Sequence, residues 1–299
     1  MRRRAFIESG ILGASALALP RFAVAQVAAD APATEVVRGD LQLIRGAANG
    51  LLFAAGDRNV LIDVPAPDFD GATALYGTDP ILINSNWRPE HTAANDVLGG
   101  SGAEIIAHEN TRLWMSNDFT VRWEGRRYGP RAAEALPNST LYTSRTLTAG
   151  DETIDIGHVA RAHTDGDVYA YFQRANVLFA GDLLAVNSYP VLDYSTGGWI
   201  RGMIEATEHL LEITAADTLI VPAVGDPQRR DALEAQLELC RAADEAVGQA
   251  YTTARSLEEL LEADPLEAYR AERGEPALFI ELAYRGMWGH IRRLGLGIV

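Results

Sequence analysis

Short apolar runs, each closed off by glycine or aspartate, dominate the first part of the chain. They predict strands at Glu35–Val37, Leu41–Ile44, Leu51–Ala55 and Val60–Val64. Gly39-Asp40, residues 46–50 and Gly56-Asp57 supply the turns of an antiparallel meander. A strand at Ile81–Asn84, a loop, a helix over about His91–Leu98 and a strand at Glu104–Ala107 follow. Residues 113–140 hold Trp114, Phe119, Trp123, Tyr128 and several arginines with no clean period, and read as an insertion or lid. Strands resume at Thr146–Leu147, Thr153–Ile156, Val159–Ala162, Val168–Phe172 and Val177–Ala180. A helix over Gly202–Ile213 and a short strand at Thr218–Val221 precede two closing helices, Pro227–Arg255 and Pro276–Arg293. Strands interleaved with single helices predict two sheets covered by helices, a four-layer α/β arrangement.

The first residues follow a different logic. Arg2-Arg3-Arg4-Ala5-Phe6 leads into an apolar run from Gly10 to Leu19 and then Ala23-Val24-Ala25, an A-x-A cleavage pattern. The run is about half of the roughly 20 residues that span a bilayer. Paired arginine followed by phenylalanine resembles a twin-arginine signal. Residues 1–25 are therefore expected to direct export of the folded chain to the periplasm, leaving no integral membrane segment. Residues 26–34 are expected to be a flexible lead-in, and 35–299 one domain.

The chain of 299 residues is 47% apolar, enough for a sizeable core, and has a formal charge of −15. The first 25 residues hold four arginines and one glutamate, so the remainder stands at −18. Such a surface argues against a nucleic-acid partner; a small molecule is the expected substrate or ligand. The single cysteine, Cys240, allows no intramolecular disulfide and has helix-spaced apolar neighbours that predict burial.

Three loops, each directly after an apolar strand, concentrate the chemistry. They are Asn84-Ser85-Asn86-Trp87-Arg88-Pro89-Glu90-His91, Ala162-His163-Thr164-Asp165-Gly166-Asp167 and Ala180-Gly181-Asp182. In this order and spacing they resemble the metallo-β-lactamase superfamily, over roughly Leu41 to Val224. The resemblance implies an αββα sandwich with the site at the edge between the sheets. It also implies a ligand pattern His-x-His-x-Asp-His, whose four positions here are Asn86, Arg88, Glu90 and His91. The next ligand position is His163, and the bridging aspartate is Asp182. The last falls in the turn Pro222-Ala223-Val224-Gly225, at Val224. Asp63 resembles an aspartate that supports the site loop.

Val224 has no donor atom, and a guanidinium offers no lone pair. At an assumed 4 Å and an effective dielectric of about 20, a divalent ion and Arg88 would repel by roughly 8 kcal/mol. Two zinc ions are therefore not expected. Arg88 is expected to pair with Glu90 or Asp182 and replace the missing cation. A single ion (zinc, iron or manganese) would fall to His91, Asp182, Glu90 and His163; one branch of the β-lactamases that uses one zinc also has Asn at the first position. Two functional readings follow. In one, the protein is a hydrolase-like enzyme acting with one ion or none, with Glu90, His163 and Asp182 as acid or base and Arg88 stabilising an anion. In the other, it is a catalytically inactive periplasmic binding or regulatory protein that has kept the cleft. Trp87, Trp114, Trp123, Tyr189 and Trp199 are expected to line an apolar pocket in either case.

Overall fold

The computed structural model describes residues 33–56, 58–65, 76–77 and 79–295, the last eight of these by backbone alone. The signal-like segment and all but the end of the lead-in lie outside the described residues. Thr34, expected in the lead-in, already belongs to a strand.

Seven strands form one sheet in the order β1-β2-β3-β4-β5-β6-β9. They are β1 (Thr34–Arg38), β2 (Leu41–Ile44), β3 (Gly50–Phe53), β4 (Val60–Ile62), β5 (Ile81–Ile83), β6 (Glu104–His108) and β9 (Ser139–Leu141). The first three connections are antiparallel hairpins, and β4, β5, β6 and β9 run parallel. A hairpin of β7 (Phe119–Val121) and β8 (Arg126–Tyr128) stands apart from it. The second sheet has the order β10-β11-β12-β13-β14. Its strands are β10 (Ser144–Ala149), β11 (Glu152–His158), β12 (Val168–Phe172), β13 (Val177–Gly181) and β14 (Leu219–Pro222). The last two are parallel.

Alternation along the strands decides the layers. In β13, Val177 and Phe179 enter the core between the sheets, with Leu43, Ile62 and Ile154. Leu178 and Ala180 point the other way, against helices α3 (Ile200–Ile213) and α4 (Arg230–Thr252). A strand covered on both faces reads as an unbroken apolar run, as Val-Leu-Phe-Ala does here. The far face of the large sheet packs Leu52, Leu61 and Leu82 against Leu98 of α1 (Asn95–Gly100). The order is helix, sheet, sheet, helix. Helix α2 (Glu109–Ser116) and the C-terminal helices α5 (Leu257–Glu262), α6 (Arg270–Arg273) and α7 (Ala277–Gly295) complete the described chain. Among the described residues no helix is long and apolar enough to cross a membrane.

Two expectations are corrected. Val159–Ala162 is a loop, although Val159 and Ala162 are buried. Val159 spends its amide on the Asp167 carbonyl, and Arg161 lies at φ +58, so the backbone turns instead of pairing. The helix expected from His91 starts at Asn95, because residues 91–94 form turns: the His91 and Thr92 amides bond back to the Arg88 carbonyl, and the Asn95 amide to that of Thr92.

Candidate functional site

The strands β4, β5 and β13 end side by side, and their next residues meet. Asp63 follows β4 at φ +46, a left-handed conformation that aspartate tolerates better than most residues. Its Oδ1 accepts from the Ser85 amide at 2.7 Å, and its Oδ2 takes the Ser85 hydroxyl and His91 Nδ1, the latter at 2.7 Å. Asn84 and Asn95 exchange side-chain hydrogen bonds at 3.0 and 2.8 Å, and Asn84 Nδ2 also donates to the His91 carbonyl. The loop carrying Asn86, Arg88, Glu90 and His91 is thus pinned from beneath. Gly181 ends β13 at φ +55, and a Cβ there would lie 3.2 Å from Ser85 Oγ. The glycine lets the chain turn so that Asp182 enters the site.

Three of the sequence-predicted residues surround one oxygen. His91 Nε2 lies 2.8 Å from Asp182 Oδ2, Asn86 Nδ2 donates to it at 2.9 Å, and His163 Nε2 stands 3.5 Å away. Burial disfavours charge on His91, but Asp182 and Asp63 on either side outweigh it and hold its pKa well above the ordinary value. Burial likewise opposes ionisation of Asp182, yet His91, His163 and Asn86 carry its pKa far below the carboxylate range. Neighbouring Asp167, buried and accepting from the Thr164 amide and hydroxyl, is pushed up to about 7, chiefly by burial.

Arg88 belongs to a second group. Its Nε donates to Glu90 Oε1 at 3.0 Å, its Nη2 to Glu124 Oε1, and its Nη1 lies 3.7 Å from Asp193 Oδ2. The Trp87 and Trp123 rings cover the guanidinium at 5.3 and 5.6 Å. Burial weakens the hold on its proton, and Glu124 and Glu90 reverse that, raising its pKa. Arg88 therefore pairs with Glu90, while the positive partner of Asp182 is His91. Glu124 and Asp193 are residues that the sequence analysis missed. Glu124 sits 36 positions along the chain from Arg88, in the hairpin β7–β8, where no periodicity singled it out. Tyr128 donates to its other oxygen at 2.7 Å, and the net effect of Tyr128 and Arg88 against burial is to lower its pKa. Asp193 accepts from Trp123 Nε1 and the Thr196 hydroxyl as well.

The turn at 222–225 is held beside the site, with the Ala223 amide on the Gly181 carbonyl at 2.9 Å and Asn49 Nδ2 on the carbonyls of Pro222 and Gly225. Val224 itself is 66% exposed. The five aromatics do not form one pocket. Trp87 is buried with Met115 and Val121, and Tyr189 stacks on Phe279 in a different cluster. The π-faces of Phe119 and Tyr128 complete the packing around Trp87, so those rings close the space that the sequence analysis left open. His108 caps α2 through the Asn110 amide, and His209 is half-buried against the Tyr169 hydroxyl.

The residues do not fit two metal ions: position 88 is a guanidinium enclosed by carboxylates, and Val224 brings no donor. One ion is a different case. His163 Nδ1 faces the Val191 carbonyl at 2.9 Å and must donate to it, so Nε2 is the nitrogen left to face the site. That buried nitrogen has no hydrogen-bond partner and stands 3.5 Å from a carboxylate oxygen. An imidazole nitrogen and a carboxylate oxygen facing each other can share a proton or a cation between them. Both rings also have the outer partner that metal-bound histidines have, Asp63 for His91 and the Val191 carbonyl for His163. As the side chains stand, no three His, Cys, Asp or Glu groups among the described residues are set for ligation. The His91–Asp182 hydrogen bond would have to open. In donor chemistry, His91, His163 and Asp182 fit one ion.

Comparison with known proteins agrees with this architecture. The solved structures it resembles include a metallo-beta-lactamase from Pontibacter korlensis, at 14% identity and a TM-score of 0.56, covering 70% of this chain and 99% of that one. DIM-1 metallo-beta-lactamase is 16% identical at a TM-score of 0.57, with 72% and 99% covered. The stereoselective inverting sec-alkylsulfatase Pisa1 from Pseudomonas sp. is 13% identical at a TM-score of 0.64, over 85% of this chain and 50% of that one. At such identities these likenesses show the fold. No curated protein matches by sequence. The sequence pattern of the metallo-beta-lactamase superfamily matches residues 92–247, more than half of the chain. With the αββα layers and the strand-end loops in place, this chain belongs to the metallo-beta-lactamase superfamily.

Proposed function

We propose that the protein is a hydrolase-like member of this superfamily that works with one divalent ion rather than two, on a small-molecule substrate. The observation that carries the reading is the buried, unpartnered Nε2 of His163 facing Asp182. His91, His163 and Asp182 would hold the ion, and zinc, iron or manganese suits two imidazoles and a carboxylate. Such an ion supplies Lewis-acid polarisation and lowers the pKa of bound water. The chain's own residues set the stage. Asp63 and the Val191 carbonyl orient the two imidazoles, and Asn86 fixes the Asp182 carboxylate. Glu90, whose side chain is 35% exposed, is the carboxylate best placed to exchange protons with a bound molecule. Arg88 aims its charge at Glu90, Glu124 and Asp193, so we assign it to holding Glu90 and the β7–β8 hairpin rather than to an anionic substrate. The arginine-led, A-x-A-terminated start of the chain supports export to the periplasm as part of this proposal. The enzymes it resembles are named for different substrates, and the substrate does not carry over from them.

A second reading, a non-catalytic binding or regulatory protein, is favoured by one observation: both nitrogens of His91 are already satisfied, by Asp63 and Asp182. Elemental analysis of the mature protein, purified without added metal or chelator, separates the two. About one tightly held ion per chain supports the enzyme reading. No ion in the wild type, with uptake in the Asn86→His, Arg88→His, Val224→His variant, overturns it in favour of the second.

A further inference from the structure

The segment from 182 to 193 supplies the site three times: Asp182 itself, the Val191 carbonyl that orients His163, and Asp193 beside Arg88. Two buried polar side chains from the C-terminal helices grip its backbone. Gln236, in the middle of α4 and fully buried, donates from Nε2 to the Leu183 carbonyl at 2.7 Å and accepts from the Ala185 amide at 2.8 Å. Arg273, at the end of α6 and 8% exposed, donates from Nη1 to the Ser188 carbonyl at 2.9 Å and reaches that of Ala185 at 3.4 Å.

Burying an arginine and a glutamine is costly unless their hydrogen bonds are made. Gln236 Nε2 also reaches Thr207 Oγ1 at 3.2 Å and Arg273 Nη2 lies 3.5 Å from Glu272, but the shorter bonds of both side chains go to the segment after Asp182. Packing anchors the two ends of the segment, where Leu183, Leu184 and Leu192 are buried in the core. Ala185, Val186 and Asn187 between them border an open cleft of about 200 Å³, which Arg273 also lines, and it is this middle stretch that the two side chains grip.

We infer that Gln236 and Arg273 are positioning residues: they set the orientation of His163 and Asp182 through the backbone of residues 183–191 without touching the site. The inference rests on the proposed single-ion site for its consequence, but not for its geometry. A loosened segment carries the Val191 carbonyl away from His163 Nδ1 and frees the ring to rotate. Metal-bound histidines deprived of an outer partner lose affinity by about 10–100-fold, and a displaced partner is expected to act in the same sense.

The test uses the whole mature chain carrying Arg273→Met, Arg273→Lys or Gln236→Met, with Leu239→Ala as a control that weakens the same core without removing a side-chain hydrogen bond to the segment. Imidazole ¹H–¹⁵N spectra read the Nδ1 proton of each histidine directly. The expected result is exchange of the His163 proton at least about tenfold faster in Arg273→Met and Gln236→Met, with His158, held by the Asp167 carbonyl, unchanged. Arg273→Lys, which keeps a charged donor group, restores part of the protection. A His163 signal that is unaltered, or that changes equally in Leu239→Ala, overturns the inference. Competition titration with zinc on the same proteins keeps the two claims apart. If the wild type takes up neither zinc nor, titrated in the same way, iron(II) or manganese(II), the single-ion reading fails, while the spectra still decide whether Gln236 and Arg273 position His163.

Discussion

Replacing Arg88 by methionine removes the guanidinium that Glu90, Glu124 and Asp193 share. Asp193 is fully buried and the Glu124 side chain is 16% exposed, so neither reaches water without moving the hairpin or the loop; Glu90, 35% exposed, relaxes into solvent. The gross attraction at 3.7 Å, the Asp193 distance, is about 4–5 kcal/mol at an effective dielectric of 20. Removing one partner of a buried ion pair costs about 3–5 kcal/mol net, because the remaining charge stays desolvated. Arg88→Met should therefore lose about 3–5 kcal/mol at pH 7, equivalent to roughly 10 °C in Tm. Urea denaturation at a series of pH values is the assay. In the wild type the lowered pKa of Glu124 contributes stability that is present above the ordinary carboxylate range and is lost as pH falls through the folded value. Without Arg88, Glu124 loses a group that offsets its burial and takes up a proton more readily than in the wild type, so the variant loses less stability as pH falls from 7 towards 5. The gap between the two proteins should narrow on acidification. A loss below about 1 kcal/mol, with a gap independent of pH, would show that Arg88 organises nothing.

Three other outcomes can be checked. Asp63→Asn removes one of the two carboxylates that hold His91 and weakens the hold on Ser85; a loss of about 3 kcal/mol in urea denaturation is expected, and an unchanged midpoint would refute the supporting role. Gly181→Ala forces φ +55 on a residue with a Cβ and crowds Ser85 Oγ; about 1–2 kcal/mol should be lost, with Asp182 displaced in a crystal structure of the variant. His108 and His158 stack at 3.7 Å, and burial, together with the facing charge of His158, pushes His108 down to about 4. The unfolded chain therefore binds protons first as pH falls, and stability is lost between about 6.5 and 4, by roughly 3 kcal/mol from His108 alone. His108→Asn, which keeps a helix cap, should flatten that acid slope; an unchanged slope would place its origin elsewhere.

The strands flanking the site were legible because both faces of their sheets are covered. Leu41–Ile44 and Val168–Phe172 have the bounds their apolar runs predict, and the strand-end loops carrying Asn86, His163 and Asp182 stood out for the same reason. The weak points were local. Val159–Ala162 has strand composition, but the backbone is drawn away by a hydrogen bond to Asp167, and no local pattern shows where an amide will find its partner.

Residue identity alone decided that positions 88 and 224 cannot ligate a metal, since that follows from the atoms of arginine and valine. Which carboxylate the guanidinium faces is a matter of distance between segments far apart in the chain. Glu90 lies two residues from Arg88, but Glu124 reaches it only because Phe119 and Tyr128 pack on Trp87, and Asp193 only because the segment after β13 folds back. The same holds for His163: its place in an Ala-His-Thr loop is written in the chain, but Nε2 is the nitrogen turned to Asp182 because the Val191 carbonyl claims Nδ1. A hydrogen bond between residues 28 apart depends on how two loops close, and closure is settled by tertiary packing, not by the composition of either loop.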